Sequence, residues 1–294
     1  KPPNFGTRRG GMAASAPDDL SKLLSLEEGA VREALRERFV KGKIYTHVNS
    51  LLVALNPYRL LPLYSEALLE RYTLYGQATP GPHVFGVAAS AYRGLLDARS
   101  QSVIISGESG AGKTETAKRF LQYLAYAATQ GGTAFDESAR LEARVVATSP
   151  LLEAFGNAQT VMNNNSSRYG KFLMLQFDLS GKIMGAVIKT YLLEKTRVVR
   201  QAAGERNYHI LHYLYDGAPA ALRAQLSLSP ADAAYLSAAA ADGSSAADAF
   251  EGTELAMRSV GLDGAEVAWV WALLAAVLKL GGVSFGEGEE AVAR

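Results

Sequence analysis

The spacing of apolar and polar positions divides the chain into helical and strand-like stretches in mixed order. Asp18 to Phe39 carries apolar residues at Leu20, Leu23, Leu24, Val31, Leu35 and Phe39 between capping residues, which predicts two short helices. Lys43 to His47 and Leu51 to Leu55 are apolar and β-branched enough to predict strands, the second ended by Asn56-Pro57-Tyr58. Helical spacing returns over Ser65 to Tyr75 and His83 to Ala98, with a Thr79-Pro80-Gly81-Pro82 break between them. The apolar run Ser102 to Ser106 predicts a strand, and Glu115 to Ala128 and Leu141 to Ala154 predict helices. Lys171 to Phe177 and Lys182 to Tyr191 predict two strands joined at Asp178-Leu179-Ser180-Gly181 as a hairpin. Both faces of that pair are largely apolar, as in the middle of a covered sheet. From Glu205 onward the spacing is helical: Asn207 to Tyr215, Ser244 to Val260 and Ala265 to Leu280. An Ala-rich stretch, Ala218 to Ala249, holds enough Leu and Tyr to predict small packed helices.

The connections are polar. Residues 1–17 are rich in Pro, Gly and Arg and predict a disordered lead-in, and 129–139 predicts a flexible surface loop. Gly156 to Gly170 is irregular, with Asn163, Asn164, Asn165, Ser166, Ser167 and Arg168 in a row, a pattern typical of an exposed loop.

Composition narrows the picture less than pattern does. A net charge of +1 at pH 7 supplies no overall field to draw the chain to nucleic acid or an anionic membrane. The absence of cysteine excludes disulfides and thiolate metal sites, and the four histidines form no metal motif. His209 and His212, spaced i, i+3, read as ordinary helix histidines. Val267 to Leu280, VAWVWALLAAVLKL, is short for a bilayer and predicts a buried helix rather than a membrane span. With no secretory signal visible, a cytoplasmic location is the default expectation.

The chemistry concentrates at 104–116, IISGESGAGKTET. An apolar run, a glycine-rich turn and a helical segment bearing G-x-x-x-x-G-K-T are the setting of a phosphate-binding loop. Glycines let the backbone approach phosphate closely, and the helix start adds its positive end. Lys113 is then placed for the β and γ phosphates and Thr114 for Mg²⁺. Such a loop serves GTPases, kinases, transport ATPases and motors alike. The guanine-reading string Asn-Lys-x-Asp is absent, and Asp178-x-x-Gly181, although it imitates a GTPase second switch, sits where a hairpin turn is predicted.

Longer stretches are more specific. GESGAGKTET at 107–116, LLEAFGNAQTVMNNNSSRYGKF at 151–172, TYLLEKTRVV at 190–199 and GERNYHIL at 204–211 resemble the signature stretches of the myosin motor head, in that family's order. VALNPYRLLPLY at 53–64 is similar to its adenine-pocket segment. The resemblance covers the chain from about Asp18 to the end and is weakest after Tyr215.

The resemblance implies an α/β fold: a P-loop NTPase with a mostly parallel central sheet flanked by helices. This chain (18–294) would be an incomplete, N-terminal portion, with the P-loop at 107–114, switch I at 163–168 and a helical region at 205–294. Gly107, Glu108, Ser109, Gly110, Ala111, Gly112, Lys113 and Thr114 would hold the phosphates. Asn163 would reach them from switch I, Ser166 would position the attacking water, and Ser167 would give Mg²⁺ a second hydroxyl beside Thr114. Arg168 would pair with a second-switch glutamate that this sequence does not contain, so that it has no visible partner here. Asn56, Pro57 and Tyr64 would contact the adenine. The implied function is Mg-dependent ATP hydrolysis coupled to shape change and actin filament binding. ATP and Mg²⁺ would be required, calmodulin-like light chains would be further partners of the full protein, and its location would be the cytoplasmic cytoskeleton. Met162 and Leu60 depart from the family's usual basic and charged residues, and a preceding small β-barrel is not seen. The stop before the second switch, with the strand that precedes it, keeps open a nucleotide-gated binding module or a truncated product without motor activity.

Overall fold

The first polar and apolar stretches fold close to where their spacing places them. The computed structural model describes residues 15–74, 81–129, 148–236 and 245–283. The chain separates into two compact units, 1–139 with 176–185, and 140–175 with 186–294. Most of the predicted lead-in, 130–139 of the predicted surface loop, 141–147 of the predicted helix and part of the Ala-rich stretch lie outside the described residues.

In the first unit a single 3₁₀ turn, Leu20–Lys22, is capped by Asp19, and α1 follows at Glu28–Val40. β1 (Tyr45–Val48) and β2 (Leu51–Ala54) pair antiparallel, Tyr45 opposite Ala54 and Val48 opposite Leu51. Asn49 takes the left-handed φ of 53° that this tight turn needs. Arg38, 2% exposed, fastens α1 to the hairpin: Nε donates to Thr46 Oγ1 at 2.9 Å, Nη2 to the Tyr45 carbonyl at 2.8 Å and Nη1 to Asp18 at 2.6 Å. Three helices follow among the described residues, α2 (Glu66–Leu74), α3 (Val84–Leu96) and α4 (Lys113–Thr129). Small residues Ala88 and Ala89 on α3 let Tyr123 of α4 pack closely in a core shared with Leu69, Tyr72 and Phe85.

Residues 102–106 do not form the predicted strand; Val103 and Ile104 are 42% and 90% exposed. A strand exists only in a ladder, and no described segment pairs with this one. For the same reason the expected mostly parallel central sheet is not formed among the described residues. The strands there make three two-stranded sheets.

In the second unit helical backbone at 148–156, α5, runs into β3 (Asn157–Ala158). β3 pairs antiparallel with β4 (Ser166–Ser167), Asn157 opposite Ser167 and Ala158 opposite Ser166. The polar stretch predicted as an exposed loop is therefore anchored at both ends. β5 (Gly170–Phe177) and β6 (Ile183–Tyr191) form the predicted hairpin, whose tip, 176–185, is counted with the first unit. Its turn settles the role of Asp178, whose Oδ1 accepts from Ser180 N, Ser180 Oγ and Lys182 N at 2.9, 2.7 and 2.9 Å. The covered-sheet expectation does not hold, since Phe172, Met174, Met184 and Tyr191 are 52%, 40%, 62% and 51% exposed. No third strand joins this pair among the described residues.

Past the hairpin come α6 (His209–His212), a π-helical turn at Tyr213–Gly217, α7 (Ala220–Gln225), α8 (Ala246–Ser259) and α9 (Gly264–Gly281). A Cβ on Gly217 would lie 2.1 Å from the Ala246 carbonyl, so the start of α8 demands glycine there. α9 opens on a reciprocal cap between Asp263 and Glu266. Its Trp271 stacks on Phe250 with centroids 4.5 Å apart. The prediction that α9 is buried holds for one stripe only. Val267, Trp271, Ala275 and Leu278 are in the core, whereas Trp269, Leu273 and Leu280 are 65%, 50% and 64% exposed. By length and composition α9 is the one helix among the described residues that could cross a membrane, yet its buried stripe packs in this core.

Candidate functional site

Between 107 and 112 the backbone turns as only glycine does cheaply, with φ of 81° at Gly110 and 94° at Gly112. Space makes the same demand at Gly107, where a Cβ would meet the Ala111 Cβ at 3.0 Å. The turn leads into α4, whose first residues are Lys113 and Thr114, so the amides of a helix start lie next to it. Lys113 folds back over the loop and donates from Nζ to the carbonyls of Gly107 at 2.6 Å and Glu108 at 2.9 Å. A glycine cradle with a cation held across it fits an anionic phosphate chain, and the Thr114 hydroxyl beside it is a hard oxygen suited to Mg²⁺.

Asn56 is also brought here. Its Nδ2 donates to the Gly110 carbonyl at 2.7 Å and its Oδ1 accepts from Tyr58 N at 2.9 Å. It thus ties the segment of Pro57 and Tyr58 to the loop. Tyr64 is half-buried. Its hydroxyl is 2.9 Å from that of Tyr45, and the Arg119 guanidinium lies 4.3 Å over its ring. Arg119 is steadied by Glu115 one turn earlier at 2.6 Å. Burial, then the bond to Tyr64, push the Tyr45 hydroxyl above the ordinary tyrosine range.

The second unit holds Asn163, Ser166, Ser167 and Arg168. Thr160 and Asn163 close a tight turn, Thr160 N donating to the Asn163 carbonyl at 2.9 Å. Asn163 Oδ1 accepts from Asn165 N at 3.1 Å, which fixes the side chain that the sequence directs at phosphate. Asn165, which sequence reasoning passed over, cross-links the strip. Its Oδ1 accepts from Asn157 Nδ2 at 2.9 Å and lies 3.2 Å from His209 Nε2, and its Nδ2 donates to Glu153 at 3.1 Å. Ser167 is exposed. Ser166 is 2% exposed, and its hydroxyl accepts from Arg168 Nη1 at 3.2 Å.

Arg168 corrects the sequence reading directly. It has a partner within this sequence, Glu194, whose Oε2 meets Arg168 Nε at 2.6 Å. Glu194 lies inside the TYLLEKTRVV stretch quoted for the resemblance, but nothing in its spacing from Arg168 announces the pair. Burial pushes the Glu194 carboxyl up, and hydrogen bonds from Arg197 and Arg168 outweigh it, so that it ionises below the ordinary carboxylate range.

The loop geometry in the first unit is that of a P-loop NTPase-like protein. Comparison with known proteins specifies the class. The chain matches the family described as myosin head (motor domain) over residues 17–293. It is 45% identical to Myosin-15 of Arabidopsis thaliana over 278 residues, 93% of this chain and 18% of that protein. It is 42% identical to Myosin-14 of the same plant over 283 residues, 95% and 18% respectively. Myosin-1 of Sclerotinia sclerotiorum is 43% identical over 280 residues, 94% of this chain and 22% of that protein. The chain belongs to the myosin head family, and it spans about a fifth of the length of these relatives.

Proposed function

We propose that the chain is the nucleotide-binding segment of an actin-based cytoskeletal motor that hydrolyses ATP with Mg²⁺ and converts nucleotide occupancy into shape. The observation that carries this is the phosphate loop at 107–114, with its positive-φ glycines and inward-folded Lys113, in a chain of the myosin head family. Gly107 to Thr114 hold the triphosphate, with Lys113 and the loop amides opposing its charge. Thr114 and Ser167 are the hydroxyls that would hold Mg²⁺, which supplies charge neutralisation on the phosphate oxygens. Asn163 donates toward phosphate and Ser166 positions the water that attacks in line. Asn56, Pro57 and Tyr64 form the adenine end, where Arg119 adds a planar cation on Tyr64. The strip 163–168 is the segment whose arrangement would answer to γ-phosphate, the two-state element of the motor. Actin filaments are the partner of the whole protein, calmodulin-like light chains are its further partners, and it works in the cytoplasmic cytoskeleton.

The test is MgATP binding and actin-activated hydrolysis by a chain extended through the complete motor head. Binding with actin-stimulated turnover supports the reading, and absence of MgATP binding ends it. One observation favours a second reading, nucleotide-gated binding without hydrolysis: Ser166 is 2% exposed. Tight MgATP binding without turnover in the extended protein would select that alternative.

A further inference from the structure

Glu194 follows β6 by three residues and meets Arg168 from 26 positions away in sequence. Its Oε2 accepts from Arg168 Nε at 2.6 Å and from Arg197 Nε at 2.7 Å. Arg197 has a side chain only 4% exposed and is itself fixed, through Nη2 to Glu205 at 2.7 Å and Nη1 to the Arg206 carbonyl at 3.0 Å. The main chain repeats the connection: Glu194 N donates to the Arg168 carbonyl at 3.0 Å, and the Glu194 carbonyl accepts from the Tyr208 hydroxyl at 2.8 Å. Glu194 is therefore a carboxylate whose place is set by a buried, hydrogen-bonded cation on one side and two backbone bonds on the other.

A guanidinium is planar, so gripping it at Nε fixes the direction of its Nη hydrogens. Arg168 spends one of these on Ser166 Oγ at 3.2 Å. With a lone pair occupied in that direction, the Ser166 hydroxyl hydrogen is turned away from Arg168. The chain Glu194 to Arg168 to Ser166 converts a remote ion pair into the orientation of one hydroxyl.

We propose that Glu194 is a positioning residue for ATP hydrolysis, acting through Arg168 on the Ser166 hydroxyl; this rests on the ATPase function proposed above. Glu194 touches no substrate. Its loss should reach the chemical step while sparing nucleotide binding, since the phosphate loop that binds is built from other residues.

The experiment uses the full-length protein carrying this chain and compares MgATP affinity, single-turnover hydrolysis and thermal denaturation. Glu194→Gln keeps the shape and an acceptor but not the charge. Hydrolysis is expected to slow on the order of 10²-fold, as for a misplaced reacting group, with affinity changed by less than about 3-fold. Glu194→Asp, which keeps the charge, should recover most of the rate. In an Arg168→Ala background Glu194→Gln should cost nothing further, because the intermediary is gone. Unchanged hydrolysis in Glu194→Gln overturns the proposal. So does a loss of rate that adds fully to that of Arg168→Ala, or one that tracks a lowered melting temperature and lost affinity. Lys113→Ala runs alongside: if it binds MgATP normally, the nucleotide site itself is wrong, and the assignment of Glu194 falls with it for that separate reason.

Discussion

Asn56 Nδ2 donates to the Gly110 carbonyl at 2.7 Å, a bond that joins the end of β2 to the centre of the phosphate loop across 54 residues. The same side chain accepts from Tyr58 N, so one amide sets both the loop and the segment leading to Tyr64. Asn56→Ala removes a hydrogen bond worth about 1 kcal/mol, and MgATP affinity should fall about 5-fold. Asn56→Asp keeps the acceptor for Tyr58 and turns a carboxylate toward the loop carbonyl and the phosphates, so the loss should be greater. A titration in which Asp binds as tightly as wild type would remove Asn56 from the site.

Gly112 tests the cradle by conformation alone. At a φ of 94° an alanine is strained by about 1 to 3 kcal/mol, yet nothing in its space is closer than Asn56 at 4.0 Å. Gly112→Ala should therefore weaken MgATP binding about 10-fold or more while the melting temperature moves little, because the cost is met by shifting the loop rather than by opening the core. Equal losses in binding and melting temperature would mean that the loop is part of the folding unit, not a ligand cradle.

Helices, the strands at β1 and β2, and the β5–β6 hairpin were legible in the sequence because each is a local pattern. Helical spacing and turn residues such as Asp178 and Gly181 act within a few positions. The loop at 107–112 was legible for a stronger reason, since Gly110 and Gly112 take a positive-φ backbone that few other residues permit. What escaped was everything fixed by meetings between distant segments. Ser102 to Ser106 reads as a strand by composition, but strand formation is decided by a neighbour. Glu194 and Asn165 look like ordinary polar residues until Arg168, Asn157, Glu153 and His209 are brought to them. The exposed side of α9 was hidden by its own composition, because a helix apolar all round gives no periodic sign of which side is covered.

The two tryptophans should be separable by light. Trp271 is 1% exposed, stacked on Phe250 and donating from Nε1 to Glu254 at 2.9 Å, whereas Trp269 is 65% exposed on the other side of α9. Trp269→Phe should leave blue-shifted emission that acrylamide quenches poorly, with stability nearly unchanged. Trp271→Phe should leave red-shifted, readily quenched emission and a lowered melting temperature, because it abandons the Glu254 carboxylate and leaves a gap in the core. Equal quenching of the two variants would refute the packing of α9.

Acid should destabilise the chain well before its carboxylates titrate. His83 is 4% exposed among Tyr45, Tyr72 and Phe85, and burial pushes its pKa down to about 4 from an ordinary 6.5. Burial and then the Arg206 cation pull His212 in the same direction. Both stay neutral in the folded chain while the unfolded chain takes up protons below about pH 6.5. A depressed histidine thus contributes full stability above its unfolded pKa and loses it as pH falls toward the folded one, at up to about 1.4 kcal/mol per pH unit for each group. Denaturant unfolding between pH 7 and pH 5 should show that decline in a window above the carboxylates, whose own lowered values, as at Glu194 and Asp18, act only at lower pH. His83 Nδ1 accepts from Phe85 N at 3.1 Å as the cap of α3, so His83→Asn keeps a capping acceptor while removing the titration. The variant should be less stable at pH 7, from the gap left in the aromatic cluster, and should lose about half of the pH dependence. An unchanged slope would show that His83 exchanges protons with water in the folded state.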